Sequence, residues 1–344
     1  MPLLPPDLTC WIITDGKIGD EVHCFGIAGA LGLSAERRLV TPRPPWSWIA
    51  PYGTPDWRDR PARPRSPIAP PYPDIAIASG RRTVPYLLAV KKASGGRTFT
   101  VFSKDPYRGR KTADVIYVPA HDALRGDNVI ATLTSPHKLT ASGFAEARQT
   151  PDPRLARLPG QRVGMVLGGP SGQYRFTHDD ADRLAAIATQ ILTEGASLMI
   201  TPSRRTPDFV TEALATATAA ARQAGRVFLW DGKGSNPYLG ILALSDAIVI
   251  TGDSVNMIGE AAMSGAPIHI VESTGGHPKM TWFIDQMVET GAARRWAGRL
   301  ERFSYAPINA TPEIARGIAE RYRRFSEALA RARPAARGGI TAVR

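Results

Sequence analysis

The sequence predicts an α/β protein made of two Rossmann-like parallel-sheet domains, and three observations carry the prediction. Short apolar, often β-branched runs such as Ile75-Ala76-Ile77 and Ala247-Ile248-Val249-Ile250 recur along the chain, as expected of strands covered on both faces. Segments of helix formers lie between them, so the order is βαβα and the sheets are parallel. The runs end in small, basic or hydroxyl residues, and open α/β sheets bind ligands outside the carboxyl ends of their strands.

Residues 10–14 read as the first strand, followed by the turn Asp15-Gly16-Lys17-Ile18-Gly19-Asp20 and a helix from about Glu21 to a stop at Gly32. The glycines allow backbone to approach a ligand, and Lys17 and Asp20 set one charge of each sign at the mouth. This turn is neither GxGxxG nor a Walker A loop. Asp20 reads either as chemistry at that mouth or as a helix N-cap, a position Asp favours. From 42 to 73 the composition changes: eleven of the thirty prolines fall here, with Trp46, Trp48, Tyr52 and Trp57 among five arginines. Such proline density precludes a helix or central strand and predicts an extended loop. Its aromatics beside arginine would suit an interfacial membrane contact, but a loop packed onto its own domain by its tryptophans is the expectation. Strands over 74–78, 98–102 and 114–118 follow, ending in Ser79-Gly80-Arg81-Arg82, Ser103-Lys104-Asp105 and Pro119-Ala120-His121-Asp122. A loop-like stretch at 142–159 marks the domain boundary, giving domains of 1–150 and 151–310.

In the second half, strands over 163–167, 197–200 and 227–230 lead to Gly168-Gly169-Pro170-Ser171-Gly172, to Ser203-Arg204-Arg205 and to Asp231-Gly232-Lys233. The strand at 247–250 leads to Thr251-Gly252-Asp253-Ser254, then a helix from Val255 to Met263 and a further strand ending at Glu272. A helix that starts at the carboxyl end of a parallel strand aims unpaired N–H groups and its dipole into the crevice, which suits a phosphate. The same spacing suits an ordinary capped βαβ unit. Four polar loops on one sheet edge favour the phosphate. Over 311–333, Ile314, Ile318, Tyr322, Phe325 and Leu329 define an amphipathic helix with arginines on its other faces, expected to dock on the protein. Residues 334–344 are expected to be disordered.

The 344 residues give room for two domains, and 43% hydrophobic with 22% charged residues is the composition of a protein with a real core. No apolar run reaches 18 residues, and MPLLPPDLTC has no signal-peptide pattern, so a cytoplasmic protein is expected. Cys10 and Cys24 alone make neither a disulfide framework nor a zinc site. The net charge of +12 is concentrated before residue 150 and after 293, which permits an anionic membrane or phosphorylated partner.

Two such halves with a final amphipathic helix resemble the GT-B architecture of glycosyltransferases, which implies domains facing each other across a cleft. The segment Ile18-Gly19-Asp20-Glu21-Val22-His23 is similar to the first loop of bacterial heptosyltransferases, and that likeness implies Asp20 as catalytic base. Asp246–Glu272 resembles the donor-diphosphate loop and helix of the fold. It implies nucleotide or phosphate contacts from Asp253, Ser254, Val255, Asn256 and Glu260, with Glu272 on the donor ribose. Gly169, Ser171, Ser203, Arg204 and Lys233 complete the expected nucleotide side; Lys17, Arg81, Arg82 and Lys104 are expected to hold an anionic acceptor. No DxD-like pair stands at a strand end, so neither metal nor cofactor is expected beyond a nucleotide-sugar substrate. Through TDGKIGDEVHCFGIAGALG, GGPSGQYRF, TPSRRTP, DGKGSNPYLGILALSDAIVITGDSVNMIGEAAMSGAPI and the closing basic helix, the chain is identified as a bacterial member of the mitochondrial-fission (elongated mitochondria) family. Two functions are then expected. One is a metal-independent glycosyltransferase acting on a cell-envelope glycan or lipid-linked acceptor at the cytoplasmic face of the inner membrane, with peripheral contact to anionic lipid. The other is a non-catalytic adaptor on the same scaffold, the role the family implies in plants. Nucleic acid is not an expected partner, since aromatics interleave with basic residues only in the proline-rich loop.

Overall fold

The first apolar run forms β1 (Cys10–Thr14), buried along its whole length, and β3 (Ile75–Ser79), β4 (Phe99–Ser103) and β5 (Val115–Pro119) are buried likewise. In the computed structural model, which describes residues 2–332, they join β2 (Ala35–Leu39) and β6 (Val129–Thr132) in the order β2-β1-β3-β4-β5-β6. A second parallel sheet holds β7 (Arg162–Leu167), β8 (Ser197–Pro202), β9 (Val227–Leu229), β10 (Ala247–Thr251), β11 (Ile268–Val271) and β12 (Ala293–Arg295), ordered β12-β11-β10-β7-β8-β9. Successive residues of a strand face opposite sides. Thus Ile248 and Ile250 enter one core with Phe283 and Ile284, while Val249 enters the other with Val163, Leu198 and Ile200. Each such fully buried aliphatic side chain contributes about 1.5–3 kcal/mol.

Each sheet centres its own unit. The first unit runs to Val118, adds Leu124–Ala131 and takes the chain again from Thr311; the second holds Pro119–Ala123 and Thr132–Ala310. The expected boundary near residue 150 is therefore corrected. Residues 141–149 form a helix capped by the Thr140 hydroxyl, which accepts from Gly143 N at 3.0 Å. Its Phe144 sits in the second unit's core, and Arg148 donates to the carbonyls of Ala243 and Ser264. The terminal helix Thr311–Ala332 belongs to the first unit, where Ile314 and Ile318 are fully buried and Phe99 meets the rings of Tyr322 and Phe325 at 5.5 and 5.1 Å. It docks on the protein, as expected; the disorder expected for 334–344 lies outside the described residues. Among the described residues no helix is long and apolar enough to cross a membrane.

The proline-rich segment is more ordered than its composition predicts, with one α-helical turn at Trp46–Ile49 and a 3-10 turn at Trp57–Asp59. Carboxylates pin it. Arg43 donates Nε and Nη2 to Asp56 at 2.8 and 2.6 Å, and Tyr86 donates its hydroxyl to Asp59 at 2.8 Å. Burial alone would raise the Asp56 carboxyl, but Arg43 and two backbone N–H groups hold it below its usual range. Trp48 and Trp57 stay outside at 73% and 40% exposure, so these tryptophans are not what fastens the loop.

Candidate functional site

Strand order reverses between β1 and β3 in one sheet and between β10 and β7 in the other, and such switch points open crevices at the carboxyl ends of the strands. The candidate residues gather at both, and each is described within its own unit.

At the first, Asp20 lies in the opening turn of the helix Ile18–Leu31, and its side chain is 9% exposed. It is not the N-cap, a position Lys17 holds without a side-chain bond. Lys104, following β4, donates Nζ to Asp20 Oδ1 at 2.5 Å. Gly80, following β3, comes so close that a Cβ there would lie 3.0 Å from Asp20 Oδ2 and 3.7 Å from Asp15 Oδ1; its φ of +90° also favours glycine. Asp15 is the residue that sequence reasoning left unassigned. Its side chain is 3% exposed, both carboxylate oxygens lack a hydrogen bond, and Lys17 Nζ stands 4.0 Å away. Of the residues expected to bind an acceptor, Lys104 is thus committed to Asp20, and Arg81 donates to Ala50 O at 2.7 Å. Lys17 is 62% exposed, and Arg82 is half-buried beside Arg81.

At the second switch point, Asp253 is a hub rather than a ligand. Its side chain is 0% exposed; it accepts from the Thr251 hydroxyl at 2.7 Å, Gly169 N at 3.1 Å and Arg205 Nη2 at 3.3 Å. Arg205 also donates to the carbonyls of Gly169 and Pro170, each at 3.0 Å. The loops after β7, β8 and β10 are braced together by these bonds. Burial raises the Asp253 carboxyl, with Thr251, Gly169 and Arg205 pulling the other way. A buried carboxylate turned inward is unsuited to holding phosphate, so the expectation for Asp253 is corrected to positioning. Gly169 is corrected likewise, because a Cβ there would lie 2.2 Å from Arg205 O, which makes the glycine a packing requirement between loops. The adjacent Arg204 and Arg205 are indistinguishable in sequence; only Arg205 enters the hub, and Arg204 is exposed.

The remaining residues stay on or near the rim. Ser254 caps the helix Val255–Ala262 by accepting from Met257 N, leaving Val255 and Asn256 in the first turn at the sheet edge. Ser171 and Ser203 spend their hydroxyls on loop turns, with Tyr174 N and Arg205 N at 3.3 Å. Lys233 is exposed, and Glu272 pairs with Arg295 at 2.7 Å on the surface. Glu260, in the same helix, accepts the Tyr238 hydroxyl at 2.7 Å. Burial raises its carboxyl above the ordinary 4.5, with the Tyr238 bond opposing. A raised folded-state value favours folding fully below about pH 4.5, and that share is lost as pH rises through the folded value. Glu260→Gln keeps an oxygen for Tyr238 but removes the titration. Its urea midpoint relative to wild type is expected to improve between pH 5 and pH 8; an equal difference at both pH values contradicts this account.

Cys10 and Cys24 are buried free thiols, and burial pushes Cys10 up to about 12, which suits neither to nucleophilic work. Among the described residues no group of three His, Cys, Asp or Glu side chains is arranged to hold a metal ion.

Comparison with known proteins bears on the fold and the family. UDP-GlcNAc 2-epimerase from Neisseria meningitidis, solved bound to UDP-GlcNAc, matches with a TM-score of 0.51 at 10% identity, over 94% of this chain and 100% of that one. The Methanocaldococcus jannaschii enzyme gives 0.50 at 10% identity over the same shares. These likenesses show the fold alone, a GT-B-like pair of parallel-sheet α/β domains. Mitochondrial fission protein ELM1 of Arabidopsis thaliana is 28% identical over 275 residues, 72% of this chain and 63% of that protein. Uncharacterized protein RP120 of Rickettsia prowazekii (strain Madrid E) is 30% identical over 164 residues, 45% of each chain. The matches thus span less than two thirds of these relatives' own lengths. The family profile for Mitochondrial fission ELM1 covers residues 18–322, and the chain belongs to that family.

Proposed function

We propose that the chain is a nucleotide-sugar-dependent glycosyltransferase acting on an anionic or lipid-linked acceptor. The observation that carries the reading is the pair of switch points: one presents a Ser254-capped helix start beside loops braced by Asp253 and Arg205, the other a carboxylate beside a lysine. The fold neighbour bound to UDP-GlcNAc supports a nucleotide sugar as the ligand class. In this reading the first-turn N–H groups near Ser254 and Val255 hold the donor diphosphate, where helix dipole and unpaired donors favour negative charge. Asp20 takes the proton of the acceptor hydroxyl, the acceptor oxygen bonds to the anomeric carbon, and the sugar–phosphate bond breaks with its electron pair on the departing nucleoside diphosphate. Lys104 positions Asp20, and Lys17, Arg81 and Arg82 supply positive charge for the acceptor. The chemistry draws on no metal or cofactor, and its setting is the cytoplasmic face of the inner membrane.

A second reading, a non-catalytic adaptor on the same scaffold, is favoured by one observation: Asp20 already holds a salt bridge to Lys104. Thermal unfolding with UDP-, GDP-, CMP- and ADP-sugars separates the two. A ligand at 100 times its Kd stabilises the folded state by about 2.7 kcal/mol. Stabilisation by one nucleotide class, followed by slow release of nucleoside diphosphate, is expected for the transferase. No response to any of them overturns it in favour of the adaptor.

A further inference from the structure

We propose that the first unit carries a docking surface for an anionic lipid bilayer, formed by Trp48, Ile49, Tyr52 and Tyr107 and edged by Arg108, Arg110 and Lys111. Among the described residues, five of the eight large hydrophobic side chains that stay exposed come from 48–57 and from 107. Trp48, Tyr107 and Tyr52 are the most exposed of them, at 73%, 67% and 58%. Tyr52 and Tyr107 meet directly, and Trp48 and Ile49 lie four and three residues before Tyr52 in the same short segment. The Tyr52 hydroxyl donates to Tyr107 O at 3.0 Å, while Arg108 lies over the Tyr52 ring at 5.6 Å and donates to Pro51 O at 3.3 Å.

The surface is held in place from behind. Asp56 and Asp59 fasten the 42–73 segment, and Arg81 bonds the Ala50 carbonyl. Tyr107 sits at φ +58°, uncommon for an aromatic residue, with its N–H fixed by Asp105 Oδ1 at 2.7 Å. A rigid loop that presents tryptophan, isoleucine and two tyrosines outward leaves apolar area in water with no packing return in the isolated chain. Trp and Tyr favour the membrane interface because one end of each is apolar and the other polar, and arginine and lysine beside them reach phosphate headgroups with their stems along the apolar layer. Charge complementarity selects the anionic bilayer: Arg108, Arg110 and Lys111 are all exposed, and of the acidic residues nearby, Asp105 accepts from the Tyr107 N–H and Asp114 is paired with Lys91 at 2.7 Å. The terminal basic helix is not part of this surface, because its aromatic side chains pack on Phe99.

Lys104, the partner of Asp20, lies in the same β4–β5 connection as Tyr107. If the transferase reading holds, the surface sets the Asp20 corner beside the lipid that carries the acceptor; only this last step rests on that reading. Docking itself is tested apart from catalysis, by flotation of the full chain with vesicles of phosphatidylcholine alone or with one third phosphatidylglycerol. Binding to the anionic vesicles, weakened at least tenfold by Trp48→Ser with Ile49→Ser and by Arg108→Glu with Arg110→Glu, is the expected result. Melting temperatures of these surface variants report that the fold is kept, and Arg316→Glu with Arg324→Glu on the terminal helix is expected to float like wild type. Equal flotation with neutral vesicles, no flotation, or wild-type flotation of the Trp48 and Arg108 variants overturns the proposal. A concentration-dependent dimer lost in the Trp48→Ser/Ile49→Ser variant, without lipid binding, overturns it too and assigns the surface to a second copy of the chain. A nucleotide-responsive protein that fails to float refutes the docking surface alone, and a floating protein blind to nucleotides refutes the transferase alone.

Discussion

On the proposed transferase reading, Asp20→Asn is expected to slow sugar transfer by about 10²–10⁴-fold while leaving nucleotide stabilisation intact, the loss typical of removing a general acid–base group. The substitution conserves shape, so Gly80 still fits against the side chain, whose Oδ2 lies 3.0 Å from where a Cβ would be. It removes the charge that Lys104 answers at 2.5 Å. Because Lys104 is 42% exposed, the lost pair costs at most about 1 kcal/mol, too little to unfold the unit. The readout is single-turnover release of nucleoside diphosphate from the donor found by thermal stabilisation. Asp15→Asn is the informative companion. Asp15 lies across Gly80 with neither oxygen bonded, so it is the alternative proton acceptor on the same switch point. If Asp15→Asn abolishes transfer and Asp20→Asn does not, the base is Asp15 and Asp20 only positions Lys104.

That pair shows where sequence reading reaches and where it stops. The strands with both faces covered are legible because their composition is uniform: β1, β3, β4, β5 and β10 are buried at every residue. Edge strands are not legible in the same way. β2 is Ala-Glu-Arg-Arg-Leu and β12 is Ala-Arg-Arg, half-exposed segments whose polar residues hide the pairing that makes them strands. The helix at 141–149 is masked by Ser142, Gly143 and nearby prolines, although Thr140 gives it an ordinary N-cap. For the site, the edge on which the polar loops gather is predictable from βα order, and the loops do gather there. Which side chains face the crevice is not predictable from spacing. Asp253 turns inward because Gly168 and Gly169, some 84 positions earlier, leave room for its carboxylate, and Arg205 rather than Arg204 follows it in. A long-range fit between a missing Cβ and a buried carboxylate leaves no local mark in the sequence.

Gly168→Ala tests that fit, and a large loss of stability is expected from this single methyl group. The added Cβ falls 2.0 Å from Asp253 Oδ1 and 2.4 Å from its Cγ, well inside contact distance. Relief by rotating Asp253 is blocked, since the side chain is fully buried and its oxygens are held by Thr251, Gly169 N and Arg205. Moving the loop instead breaks the bonds from Gly168 N to Thr251 at 2.7 Å and from Thr206 to Gly168 O at 2.5 Å. Overpacking costs about 1–3 kcal/mol, and each buried group left unbonded about as much again, so a loss of roughly 3–5 kcal/mol is expected. At about 2–4 °C per kcal/mol for a domain of this size, the melting temperature falls by roughly 6–20 °C. Gly172→Ala, four residues on, is the matched control: nothing lies within 4 Å of its Cβ, and the change is expected to stay within about 0.5 kcal/mol. The double variant Gly168→Ala/Asp253→Ala removes the clashing carboxylate along with its bonds, so its cost is expected to fall short of the sum of the singles, as for residues in contact. Additive losses, or a Gly168→Ala protein that melts with the wild type, mean that the loops of this switch point are not braced through Asp253. The helix start at Ser254 then has no fixed frame from which to meet a phosphate.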